Sequence, residues 1–147
     1  MEELVITSVA FKNNKMIPMK YTCDGDNVNP PLNVEGIPKS AKTLVLIMDD
    51  PDVPMGTFVH WVVWNIPIDG KIEENSVPGT EGQNSARGNS YMGPCPPSGT
   101  HRYFFKFYAL DNELNMNGNS NKQGVEDAMK GHIVAKGELI GLYKRGM

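Results

Sequence analysis

Apolar residues along the chain come in short runs, rich in β-branched and aromatic types and closed by Pro, Gly, Asn or Asp. That is the pattern of strands joined by turns rather than of long amphipathic helices. Leu4–Phe11 mixes Val5, Ile6, Thr7 and Val9. Thr43–Met48 is a continuous apolar run, which predicts a strand buried on both faces. Val59–Ile66 carries both tryptophans and stops at Pro67, and His101–Leu110 (HRYFFKFYAL) is the densest aromatic segment. Ile133–Tyr143 alternates more loosely around Gly137 and Gly141. One segment has helical spacing: in Ser120–Lys130, Val125, Ala128 and Met129 share a face, with Asn119 or Ser120 as N-cap and Gly131 as a stop. Together these predict a mainly β fold, an antiparallel sandwich with little helix. Tyr21–Pro38 is turn-rich and Asp69–Gly93 has no periodicity. Unstructured stretches as long as the second tend to line sites.

Composition narrows the function classes. The 147 residues are 39% hydrophobic and 21% charged, an ordinary globular balance read as one domain over 1–147. The net charge of -3, with no Lys/Arg stripe, argues against nucleic acid held through phosphate contacts. The one basic cluster, Lys144-Arg145, reads as a solvated end. No apolar run reaches the roughly 20 residues that span a bilayer, and MEELVITSVAFKNNK lacks the build of a secretory signal, so a cytoplasmic location is expected. Cys23 and Cys95 are then a reduced pair by default, too few and too far from CxxC spacing for structural zinc.

Three segments carry candidate chemistry. In Asp49-Asp50-Pro51-Asp52-Val53-Pro54, proline is expected to end the preceding strand and leave the carboxylates at its tip; a plain Asx/Pro turn is the simpler alternative. His60 opens an apolar strand between aromatic neighbours, close enough in sequence to Asp50 for a returning strand to bring the two together. Such a pairing would favour the imidazolium; a satisfied core histidine is the alternative. Gly93-Pro94-Cys95-Pro96-Pro97-Ser98-Gly99-Thr100-His101-Arg102-Tyr103 opens as a stiff loop whose free N–H groups could form an anion-binding concavity. His101 and Tyr103 face one side of the strand that follows and Arg102 the other. A rigid hairpin loop leading into a core strand fits equally well. A Ser98, His60, Asp50 triad is weak because Ser98 has no nucleophile elbow. The histidine and aspartate spacings match no metal motif, and no cofactor is implied.

At these residues the chain closely resembles the phosphatidylethanolamine-binding protein family, in the bacterial and archaeal branch described as Raf kinase inhibitor-like. The resemblance rests on LVLIMDDPDVPMGTFVHWVVWNIP and GPCPPSGTHRYFFKFYALD, and extends from YTCDGDNVNPPL to AMKGHIVAKGELIGLYKR. It implies an antiparallel β-sandwich with a few short helices and a small pocket for phosphate-like anions. By motif, that pocket would use Asp50, Asp52, Pro54, His60, Gly93, Cys95, Pro96, His101 and Tyr103, while Arg102 pairs with an acidic group. The roles reported for the family imply a non-enzymatic protein that binds a phospholipid headgroup or phosphorylated ligand, or inhibits a kinase pathway or serine protease. For protease inhibition, the Asp69–Gly93 segment offers Arg87 and Tyr91 as anchors. A hydrolase using the same pocket is a third reading. Relatives in this branch also imply a homodimer, and the motif positions of Cys23 and Cys95 imply that both border one cavity, where a disulfide would be feasible.

Overall fold

The structure, a computed structural model, describes residues 2–146, so the outermost residues of the expected 1–147 domain lie outside the described residues. Ten strands form: β1 (Glu2–Glu3), β2 (Val5–Thr7), β3 (Lys15–Met16), β4 (Leu32–Glu35), β5 (Thr43–Val53), β6 (Gly56–Ile66), β7 (Lys71–Ile72), β8 (Thr80–Glu81), β9 (His101–Leu110) and β10 (Ile133–Tyr143). The large sheet runs β1-β10-β9-β5-β6-β8, with β3 also on β10, and the small sheet runs β2-β4-β7. The main pairings are antiparallel; the two-residue β1 and β3 run parallel to β10. Beside these lie a 3-10 turn at Met19–Tyr21 and one α-helix, α1 (Lys122–Met129), whose N-cap is Asn121 rather than Asn119 or Ser120. The Asn121 side chain accepts the Gly124 N–H at 3.1 Å.

Strand alternation in β5 builds two cores. Leu44, Leu46 and Met48 point toward the small sheet and pack with Leu32, Val34, Ile72, Trp61 and Phe105. Val45 and Ile47 point the other way, joining Val62, Trp64, Val125 and Met129 beneath α1. The doubly buried strand expected from its continuous apolar run is therefore present, and the fold is a β-sandwich with one helix on its outer face.

Sequence and structure part at Pro51. β5 does not stop before the carboxylates but continues to Val53. Pairing with β9 ends at Asp49, opposite Phe104, although β9 itself runs on to His101, so Pro51 owes no N–H to that side, and the register with β6 shifts between Asp50 and Val53. Proline is tolerated at such an irregular edge. A Pro54-Met55 turn then returns the chain at Gly56, with φ +121°. The irregular segments also resolve: Tyr21–Pro38 contains β4, and Asp69–Gly93 contains β7 and β8 and lies along the free edge of β6. In that second segment the Ser85 N–H donates to Val59 O and the Met92 N–H to His60 O. Arg145 is not a free end, since its guanidinium holds Asp24 at 2.9 Å. Among the described residues no helix is long and apolar enough to cross a membrane.

Gly137 marks where β10 passes closest to the N-terminal segment, because a Cβ there would lie 2.2 Å from the Leu4 carbonyl oxygen. Gly137→Ala is expected to cost about 2 kcal/mol, an overpacking penalty, read as a lower urea midpoint at unchanged slope. An unchanged midpoint would mean that this strand edge is loosely held.

Candidate functional site

At the end of the inter-sheet core, next to Asp50, lies a cavity of about 210 Å³ lined by Asp50, Val53, Phe58, His60, Met92, Gly93, Cys95, Pro96, Pro97 and Tyr103. Three elements converge on it. The alternation of β5 that buries Met48 carries Asp50 to the same face, β6 supplies His60, and β9 supplies Tyr103.

Asp50 is buried, and both its oxygens are engaged. Oδ1 accepts the Asp52 N–H at 2.7 Å and Oδ2 accepts His101 Nδ1–H at 2.7 Å. The partner of Asp50 is thus His101, not His60. His101 shares a face with Tyr103, as the strand spacing predicts, but its ring turns onto the carboxylate and it does not line the cavity. His60 donates Nδ1–H to the Met92 carbonyl at 2.7 Å, which fixes the tautomer and leaves Nε2 as an acceptor with no hydrogen bond to the protein. Its ring packs edge-on against Phe58 and Tyr103. Burial lowers the pKa of His60 below its ordinary 6.5, overriding the Met92 carbonyl and the Asp50 and Asp49 charges, which pull the other way. The Tyr103 hydroxyl is buried without a hydrogen-bond partner. Burial and the Asp50 carboxylate hold its pKa far above the phenol range, with the Cys95 N–H acting in the opposite sense.

The segment Gly93–Pro97 is a wall rather than a row of donors. Prolines at 94, 96 and 97 have no N–H, and the Gly93 N–H is spent on Asn27 Oδ1 at 2.8 Å. Of that segment Cys95 alone keeps a free backbone donor. Gly93 is required because a Cβ there would meet the Tyr21 carbonyl oxygen and Asn27 Oδ1, each at 2.4 Å. That close approach is zipped on both sides: the Tyr91 hydroxyl donates to Tyr21 O, the Cys23 N–H to Pro94 O, and Cys23 and Cys95 form a disulfide with Cα atoms 5.5 Å apart. The bridge that the motif positions implied is present, and the reduced pair expected by default is not; adjacent backbones at bonding distance decide it.

Asp52 and Pro54 do not line the cavity. Asp52 turns outward onto Arg102, accepting Nε–H at 2.9 Å and Nη2–H at 2.8 Å, and the guanidinium holds its pKa below the carboxylate range. Pro54 is exposed at the hairpin turn, and Val53 takes the lining position instead. Val53, Phe58, Met92 and Pro97 were not singled out by sequence reasoning. The continued β5 strand places Val53, β6 places Phe58, the segment along the edge of β6 places Met92 and the motif loop places Pro97, and only the Gly-Pro context of Pro97 carried a signal. Ser98 is exposed and outside the cavity, so a Ser98, His60, Asp50 triad is not assembled. Among the described residues no group of three or more His, Cys, Asp or Glu is arranged to hold a metal. Tyr91 is turned inward against Trp61 and Tyr21, which removes it as an anchor for a protease. Arg87 is exposed but sits at φ +67°, away from extended backbone.

Comparison with known proteins places this geometry. The family model described as phosphatidylethanolamine-binding protein matches residues 7–144. A UPF0098 protein of Pyrococcus abyssi is 47% identical, with 98% of this chain and 87% of the relative covered. One from Methanothermobacter thermautotrophicus is also 47% identical, covering 93% and 96%. A crystal structure from Chlamydia trachomatis, described as a homolog of the phosphatidylethanolamine-binding protein, superposes with a TM-score of 0.95 at 38% identity over 99% of this chain and all of that one. Escherichia coli YbcL, described as a new member of the mammalian family, gives 0.89 at 25% identity over 98% and 99%. The chain belongs to the phosphatidylethanolamine-binding protein family. Within it, the likeness to the archaeal and bacterial UPF0098 proteins covers nearly the whole chain.

The electrostatics of His60 generate a stability prediction. The unfolded chain binds a proton on His60 near pH 6.5, whereas the folded chain binds it only at lower pH. The stability linked to His60 is therefore present above pH 6.5 and lost as pH falls through the folded value. Urea midpoints should decline between pH 6.5 and 5, and His60→Gln should flatten that decline. The salt-bridged carboxylates Asp24, Asp52 and Glu74, all with lowered pKa, take effect only below their ordinary range of about 4. Equal declines in wild type and His60→Gln would reject the assignment.

Proposed function

We propose that this protein is a non-enzymatic binding protein whose cavity takes a phosphate-like anion, as a phospholipid headgroup or a phosphorylated small molecule or peptide. The observation that carries the proposal is the convergence of an unpartnered, buried Tyr103 hydroxyl and a free His60 Nε2 on one apolar-walled cavity. A buried hydroxyl without a partner costs free energy, and a ligand oxygen removes that cost. The Cys95 N–H adds a second donor on the side of the Tyr103 oxygen, and Nε2 becomes a third once it takes up a proton.

The Asp50 charge at the cavity wall opposes an anion and is offset in part by the Asp52 N–H and His101 Nδ1–H that its two oxygens accept. An anion beside His60 favours the imidazolium, so binding is accompanied by proton uptake at Nε2. At about 210 Å³ the cavity falls below the roughly 300–1,000 Å³ of pockets for drug-sized ligands. That suits a headgroup with the rest of its molecule outside.

Calorimetry with phosphate and phosphoethanolamine tests the proposal, and sulfate isolates the protein's own proton, since it does not titrate between pH 5 and 8. Sulfate affinity should rise as pH falls from 8 to 5.5. Tyr103→Phe should weaken binding about tenfold, the value of one hydrogen bond to a charged group. Arg102→Lys, outside the cavity, should leave it unchanged. No heat from any of the three ligands at millimolar concentration would overturn the proposal, and a flat pH profile would remove His60 from it.

A further inference from the structure

The Cys23–Cys95 bond is a covalently reactive group in the cavity wall that anion binding does not use. Cys95 is exposed and lines the cavity, while Cys23 is half-buried. Disulfides that serve only as staples resist reduction; exposed ones are the labile class.

Its position in the chain gives the bond a defined mechanical role. Upstream, the wall is held by the Gly93 N–H on Asn27 and by Pro94 O on the Cys23 N–H. Downstream, the next fixed point is His101, held on Asp50. Between them, residues 96–100 make no hydrogen bond to the rest of the chain among the described residues. Pro96 and Pro97, both cavity-lining, thus hang from Cys95. Pro96 and Pro97 also stiffen the segment, so it shifts as a unit.

We propose that the Cys23–Cys95 disulfide is a redox modification site that gates the cavity, its reduction releasing the Cys95–Thr100 wall and weakening anion binding. A dithiol reductant supplies the electrons. Its first thiolate attacks Cys95 Sγ from the open side, forming a mixed disulfide and expelling Cys23 as a thiolate, which takes a proton from water. The second thiol of the reductant, as its thiolate, then attacks its own sulfur in the mixed disulfide. It leaves as a cyclic disulfide and frees Cys95 as a thiol. The bond's Cys23 side stays in place, because its backbone remains tied to Pro94 and Thr22 Oγ1 to Met19 O. Release is therefore confined to one side of the bond. By reciprocity, an anion that prefers the closed wall opposes reduction by the factor it loses on opening. This ligand effect rests on the anion-binding reading above; the release of the wall does not.

The test compares oxidised protein, protein reduced with dithiothreitol, and the Cys23→Ser, Cys95→Ser double variant. NMR backbone order parameters of Ser98, Gly99 and Thr100 should fall in the second and third, with hydrogen exchange of the β5 amides unchanged. Phosphate should bind about tenfold more weakly to both, and saturating phosphate should raise the dithiothreitol needed for half-reduction of the wild type by the same factor. Unchanged order parameters at 98–100 would overturn the gate. So would equal phosphate affinity in the oxidised and reduced forms, or accelerated exchange throughout β5, which would make the bond a global staple. If oxidised protein binds no phosphate, the anion reading fails, and the order parameters alone still decide whether reduction releases the wall.

Discussion

Two consecutive carboxylates at the end of the central strand organise this molecule. Asp49 and Asp50 are buried to 1% and 2% exposure and, being adjacent in a strand, face opposite sides of the large sheet. Asp49 receives Lys106 and Lys122 at 3.1 and 2.8 Å, and Lys122 is the first residue of α1, so this carboxylate pins the helix to the outer face. Asp50 receives His101 and the Asp52 N–H, closing the inter-sheet core where the cavity begins. Buried charges persist only with partners of this kind. Losing either set would leave a charge in an apolar environment: at Asp49 the helix would lose its anchor, and at Asp50 the cavity floor would.

The architecture was largely legible because its signals are local and periodic. Continuous apolar residues in Thr43–Met48, the aromatic alternation of His101–Leu110 and the helical spacing of Val125 and Met129 each placed an element correctly. The two-residue strands were not legible; their pairing is set by long-range contacts and not by any pattern of their own. The misreading at Pro51 has the same origin, since whether proline ends a strand depends on which neighbour would have needed its N–H, and pairing with β9 had already ended.

The candidate site was legible in membership more than in roles. The motif segments named Asp50, His60, Gly93, Cys95, Pro96 and Tyr103, all of which line the cavity. They also named Asp52, Pro54 and His101, which do not. Sequence proximity suggested pairing Asp50 with His60, but Met92, in an aperiodic segment, takes His60 instead. No local signal predicts that a backbone carbonyl from a loop will choose a histidine tautomer. Likewise, Gly93 and Tyr91 owe their identities to a close approach with residues 21–27, which only the folded chain displays.

These roles give the cavity its character: an engaged carboxylate at its floor, a neutral imidazole and a free phenol as polar handles, and a proline-rich wall hung from a disulfide. The most direct test of the proposed binding function is a crystal structure of the oxidised protein grown with phosphate near pH 6. The account predicts tetrahedral density in the cavity within hydrogen-bonding distance of both Tyr103 Oη and His60 Nε2. A cavity holding only water in phosphate-saturated crystals, or phosphate bound solely elsewhere, would contradict it.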